Sequence, residues 1–203
     1  MENCQCSVRV GQTVKDHTFA TYNPLTGEFE EHSFKEYFDQ KKWIVLVFYP
    51  ADFTFVCPTE LADIADQHEK LQKLGVEVIS VSTDTKFAHL AWRNSERLLE
   101  KVKFQMASDT TGTLSRYFGV YDDVDGTAYR GTFIISPQGL LVGAEINFYN
   151  VGRNAEELLR KMQANYFLTE NPAQACPARW QEGDKALTPS AGIVGNVYDA
   201  LKS

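Results

Sequence analysis

The run Trp43-Ile-Val-Leu-Val-Phe-Tyr49 is apolar at every position and stops at Pro50. Its β-branched and aromatic side chains, with no polar alternation, fit a strand buried on both faces, as in a sheet covered by helices. Cys57 follows, with Pro58 immediately after it. Proline suits the first helical position, and Leu61, Ile64, Ala65, His68 (as a neutral ring), Leu71 and Leu74 then recur at helical spacing up to Gly75. Cys57 is thus expected at a helix start, where the macrodipole and unpaired backbone N–H groups favour the thiolate, the nucleophilic form of cysteine. Thr54 puts a hydroxyl on the same turn of chain, able to donate to the sulfur or to a bound oxygen. The alternative is a buried, inert thiol, which is what most free cysteines are.

The other elements alternate around this unit. Residues Thr21 to Phe34 read as a hairpin around Asn23-Pro24 and Thr26-Gly27, and Ser33 with Glu36 opens a short helix as a capping box. Val76–Ser82 is the next strand. A helix over Lys86–Val102 is expected, with Phe87, Leu90, Ala91, Leu98 and Leu99 inward. A short strand (Phe104–Ala107) and a short helix (Leu114–Phe118) follow. Tyr129–Ile135 and Leu140–Phe148 form an antiparallel hairpin about Ser136-Pro-Gln-Gly139. Asn154 is expected to cap a helix reaching about Leu168. After Asn171-Pro172 the chain becomes irregular, as in an arm packing on another surface. The expected fold class is α/β: a mixed sheet flanked by helices (residues 1–170) with an N-terminal hairpin and an extended C-terminal arm (171–203).

Charge narrows the function classes. With 27 acidic against 20 basic side chains the net charge is −7, which argues against a nucleic-acid surface. No apolar run reaches membrane-spanning length, and the first ten residues lack the pattern of a secretory signal, so a cytoplasmic protein is expected. Four cysteines stand at 4, 6, 57 and 176. In a reducing compartment such scattered cysteines point to catalysis or metal binding rather than to a disulfide frame. Cys4-Gln-Cys6 is too short for a zinc pair and the histidines at 17, 32, 68 and 89 do not cluster, so no metal and no cofactor are expected.

Strand, turn, cysteine, helix is also how thioredoxin-like folds display a reactive thiol. A dithiol oxidoreductase of that fold carries Cys-x-x-Cys, but here Thr54 and Glu60 occupy the flanking places. Cys57 must then be resolved from a distance, by a soluble thiol or by Cys176.

Pro50-x-x-x-Thr54-x-x-Cys57, within Phe-Tyr-Pro-Ala-Asp-Phe-Thr-Phe-Val-Cys-Pro-Thr-Glu60, resembles the signature of typical 2-Cys peroxiredoxins. Val81-Ser-Thr-Asp84, His89-Leu-Ala-Trp92, Arg130-Gly-Thr-Phe133 and Ala175-Cys-Pro-Ala-Arg-Trp180 match it too. The last of these and Ile193-Val-Gly195 look nearest to the peroxidase component of bacterial alkyl hydroperoxide reductase. The resemblance implies a thioredoxin-like thiol peroxidase acting on hydrogen peroxide and organic hydroperoxides. By resemblance, Cys57 is peroxidatic and forms a sulfenic acid, and Cys176 of a second subunit resolves it as a disulfide. Arg130 would favour the thiolate and stabilise the departing oxygen, its simpler role being that of a surface strand arginine. Thr54 would orient the peroxide or cap the helix, and Pro50 would shield the thiol or merely end the strand. Glu60 is a first-turn acid or part of the site. Trp180 packs the arm. A homodimer, with a tendency to five-dimer rings, and a reductant that is a dedicated flavoprotein or thioredoxin are implied as partners.

Two departures from the pattern matter. Forms easily inactivated by excess peroxide carry Gly-Gly-Leu-Gly and a C-terminal Tyr-Phe pair. Here the corresponding segments read Arg97-Leu-Leu-Glu-Lys-Val-Lys103 and Asn196-Val-Tyr-Asp-Ala-Leu-Lys-Ser203. Resistance to over-oxidation is the expectation. Rival classes are a protein thiol–disulfide exchanger, which the missing Cys-x-x-Cys opposes, and a ring-forming chaperone.

Overall fold

The computed structural model describes residues 7–202. Cys4 and Cys6 lie outside them, and with them any role for those thiols. The chain divides into two compact units after Asn154.

In the first unit, β1 (Thr18–Tyr22) and β2 (Phe29–Ser33) make the N-terminal hairpin. Ser33 Oγ accepts from the Glu36 amide at 3.4 Å and so caps α1 (Phe34–Asp39). Next come β3 (Trp43–Phe48), α2 (Cys57–Lys73), β4 (Val76–Ser82), α3 (Lys86–Ser95), β5 (Gln105–Ser108) and α4 (Thr113–Tyr117). A small hairpin, β6 (Tyr121–Asp122) with β7 (Thr127–Ala128), forms a separate two-stranded sheet that the sequence did not suggest. β8 (Arg130–Ile135) and β9 (Leu141–Asn147) complete the unit.

The main sheet has seven strands in the order β2-β1-β5-β4-β3-β8-β9. β3, β4 and β5 are parallel neighbours and the remaining pairs are antiparallel. This is a thioredoxin-like α/β fold. β3 lies inside the sheet, and all six of its residues are buried, as its apolar run requires. Phe48 on β3, Phe118 and Phe133 on β8 meet with ring centroids 4.8–5.6 Å apart, each pair adding about 1 kcal/mol beyond area burial. That cluster fixes the register of β3 against β8, and hence where Cys57 stands relative to Arg130.

The helix expected over Lys86–Val102 is shorter. It ends at Ser95, where Glu96 turns extended (φ −93, ψ 112) and its carboxylate caps a single 3₁₀ turn, Arg97–Leu99. Its buried stripe is His89 and Trp92, with Leu99 beyond the break. Phe87 and Leu98 are 63% and 47% exposed, and Ala91 is exposed too, against the inward face expected. Residues two apart do not share a helix face, so burying His89 turns Phe87 outward, where its ring meets Phe29 edge-on at 5.1 Å.

The second unit holds α5 (Ala155–Glu170), a 3₁₀ turn (Ala191–Ile193) and α6 (Val197–Lys202), so the segment after Asn171 is not wholly irregular. Ala175 and Leu187 exchange backbone hydrogen bonds of 2.8 and 2.9 Å on either side of Cys176 and Trp180. Trp180, 2% exposed, stacks on Phe167 at 4.9 Å, and its carbonyl accepts from Arg160 Nη1 at 3.1 Å. Packing is thus what Trp180 does. Among the described residues no helix is long and apolar enough to cross a membrane.

Candidate active site

The turn from β3 into α2 places Cys57 at the first residue of the helix, fully buried. Val56 is the N-cap and makes no side-chain capping bond. Thr54 does not cap the helix: its Oγ1 donates to the Ala51 carbonyl at 2.8 Å, folding the loop back on itself. Pro50 is half-buried at the end of β3, and Phe53 holds a left-handed backbone (φ 56) unusual for a bulky residue. Asp52 braces that strained turn. Its amide donates to Asp84 Oδ2 at 2.8 Å, and its carboxylate accepts from Tyr49 Oη at 2.7 Å. His89 Nδ1 lies 2.8 Å from the same carboxylate and Nε2 lies 3.1 Å from the Ala107 carbonyl, so each ring nitrogen faces an acceptor. Burial outweighs the His89 contact and pushes the Asp52 carboxyl above its usual range.

Antiparallel pairing of β3 with β8 sets Phe48 opposite Gly131, which brings Arg130 beside the cysteine loop. Arg130 is only 3% exposed, and its Nη1 donates to Cys57 Sγ at 3.4 Å and to Glu60 Oε2 at 2.6 Å. The surface-arginine role is therefore wrong for this residue. Glu60, one helical turn into α2, belongs to the site and is also 3% exposed.

Sequence reasoning missed a second arginine. Arg153 donates from its backbone N–H and Nε to Glu60 Oε1 (both 2.8 Å), from Nη2 to Glu60 Oε2 (3.0 Å) and from Nη1 to Thr132 Oγ1 (3.2 Å). Nothing in the loop Val151-Gly-Arg153 marks it. The one available signal was Glu60 itself, because a buried carboxylate needs cationic donors around it. Burial raises the Glu60 carboxyl, but hydrogen bonds and charge from Arg153, then the charge of Arg130, outweigh it and hold the group below its ordinary 4.5. Two guanidiniums against one carboxylate leave the buried cluster one positive charge in excess.

Cys176 is half-buried in an open groove of about 510 Å³ lined by Arg160, Asn165, Leu168 and Pro177 among others. Burial raises its thiol above the ordinary 9.0, and the positive charge of Arg160 only partly offsets this. Among the described residues no group of three or more His, Cys, Asp or Glu side chains could hold a metal ion.

The site is thus a buried cysteine at a helix start, hydrogen-bonded to an arginine whose carboxylate partner is shared with a second arginine. The AhpC/TSA family model matches residues 10–144. The chain belongs to that family. Alkyl hydroperoxide reductase C of Salmonella typhimurium is 47% identical over 171 residues, covering 84% of this chain and 90% of that protein. The crystal structure of Enterococcus faecalis AhpC superposes with a TM-score of 0.78 at 43% identity, over 83% of this chain and 98% of that one. Reduced Plasmodium vivax 2-Cys peroxiredoxin gives 0.86 at 28% identity, over 93% and 99%. As a peroxiredoxin of the AhpC/TSA family, the chain is a thiol-based peroxidase: it takes peroxide as substrate and a thiol-based redox partner as the source of electrons.

Proposed function

We propose that Cys57 is the peroxidatic thiol and Cys176 the resolving thiol of a peroxidase that reduces hydrogen peroxide and organic hydroperoxides. The Cys57 thiolate attacks the terminal oxygen of the peroxide. The O–O bond breaks, water or an alcohol leaves with the proton, and the sulfur becomes a sulfenic acid. Arg130 Nη1, beside the sulfur, stabilises the anion before attack and the departing oxygen during it. Thr54, whose proton is engaged by the Ala51 carbonyl, offers its oxygen to the hydroxyl of the incoming peroxide and orients it. Pro50 keeps water off the sulfur. Glu60 and Arg153 hold Arg130 in place.

The Cys176 thiol then displaces water from the sulfenic acid and forms a disulfide with Cys57. We assign the two sulfurs to different subunits, which makes a homodimer the smallest catalytic unit and allows assembly into a ring of five dimers. A dithiol partner, either a dedicated flavoprotein reductase with a thioredoxin-like module or thioredoxin, returns both sulfurs to thiols. The setting is the cytoplasm. Cys57 is fully buried, so the first turn of α2 must unwind and the Cys176 segment must loosen before the sulfurs meet at bonding geometry.

The observation that carries this reading is the 3.4 Å contact between Arg130 Nη1 and a fully buried Cys57 Sγ. The test is chemical trapping. In Cys176→Ser, one equivalent of hydrogen peroxide followed by a sulfenic-acid-specific carbon nucleophile should label Cys57, seen by peptide mass spectrometry. Label absent from Cys57, or found elsewhere, would contradict it.

A further inference from the structure

The guanidinium of Arg130 is held from two sides, and only one of them is the Glu60 pair. Its Nε donates to the backbone carbonyl of Tyr149 at 2.7 Å. β8 and β9 pair Arg130 with Asn147, so Tyr149 lies two residues past that pair, where β9 has ended and the sheet no longer fixes the chain. Its side chain does that instead. The Tyr149 hydroxyl donates to Asp122 Oδ2 at 2.7 Å, and Thr127 Oγ1 lies 3.3 Å away. Because the phenol proton is engaged by the carboxylate, Thr127 is the donor in the second bond. Asp122 and Thr127 are directly opposed in the β6–β7 hairpin, so the two side chains close on one oxygen. Asp122 is itself fixed, its Oδ1 accepting from the Val124 amide at 2.8 Å. The Tyr149 ring also packs on Tyr129 and Phe148, with centroids 5.2 and 4.9 Å away.

We propose that Tyr149 is a positioning residue for the peroxidase step, with the Asp122–Thr127 pair as its anchor: the pair holds the Tyr149 hydroxyl, and the Tyr149 carbonyl aims Arg130 at Cys57 Sγ. This gives the separate β6–β7 hairpin a function. It rests on the proposed roles of Cys57 and Arg130. A guanidinium donating from Nε to a fixed carbonyl and from Nη1 to sulfur and carboxylate has little freedom to rotate. Releasing the carbonyl leaves Arg130 pivoting on its Glu60 contact.

The test compares two reactions of Cys57 in the full-length reduced protein, each rate taken from its high-pH plateau where the thiol is fully ionised: oxidation by hydrogen peroxide, and alkylation by neutral iodoacetamide, which needs no aimed donor for a departing oxygen. Tyr149→Phe and Asp122→Ala should each slow the peroxide reaction about tenfold while changing alkylation less than twofold. Asp122→Asn, whose amide oxygen can still accept from the tyrosine hydroxyl, should recover most of the lost rate. Unchanged peroxide rates in Tyr149→Phe and Asp122→Ala, or parallel losses in both reactions, would overturn the assignment. If Tyr149→Phe does not fold, the two Asp122 variants decide alone. A wild-type Cys57 inert to peroxide would instead defeat the proposed function itself.

Discussion

At the residue scale, the site consists of two guanidiniums that share one carboxylate out of water. Removing Arg130 takes away both a donor to sulfur and a counter-charge for Glu60. Arg130→Met should lower the second-order rate constant for peroxide by at least about 100-fold, the usual loss when one donor to a developing oxyanion goes. Stopped-flow kinetics would check it. Glu60→Gln should cost about 3–5 kcal/mol of stability, because two buried guanidiniums lose their shared carboxylate; urea denaturation would measure this. The same carboxylate gives an acid limit. Its folded value lies below the ordinary 4.5, so its stabilisation is complete above that pH and is lost as pH falls through the lower folded value. Cys176 behaves in the opposite sense. With its thiol raised above 9.0, the thiolate fraction, and with it disulfide formation after peroxide, should rise about tenfold per pH unit through neutrality and continue rising past pH 9. Rapid-mixing of pre-oxidised protein at graded pH gives the profile.

At the scale of elements, what the sequence revealed and what it concealed have physical causes. β3, α2 and the β8–β9 hairpin were legible because burial writes a clean pattern: an unbroken apolar run, a helical stripe from Pro58, and a turn at Ser136-Pro-Gln-Gly139. α3 was overextended because Leu98 and Leu99 continue the apolar count while the break at Glu96 is a backbone event. Arg153 and Tyr149 were invisible because they act from a loop, one through a side chain reaching Glu60 and the other through a backbone carbonyl. Cys57 and Arg130 needed only the β3–β8 register to meet. If α2 must unwind at its first turn, amide hydrogen exchange over Val56–Leu61 and 172–180 should be faster in the disulfide form than in the dithiol form. Equal protection in both would exclude the local unfolding.

At the scale of the whole molecule, the proposed cycle requires two copies of the chain, since each disulfide is assigned to sulfurs of different subunits. The segment between α3 and β5 lacks the Gly-Gly-Leu-Gly of easily inactivated forms, and resolution is therefore predicted to outrun further attack by peroxide. Sulfinic acid cannot be reduced back by ordinary thiols; only a dedicated ATP-dependent reductase is able to rescue it in 2-Cys peroxiredoxins. After many turnovers at millimolar peroxide, intact-mass analysis should find Cys57 mostly without it. The most direct measurement is non-reducing gel electrophoresis of wild type, Cys57→Ser and Cys176→Ser, each with and without hydrogen peroxide. A peroxide-induced covalent dimer is predicted for the wild type and for neither variant. A covalent dimer persisting in either single variant, or none in the wild type while peroxide is consumed, would contradict the pairing of Cys57 with a second subunit's Cys176.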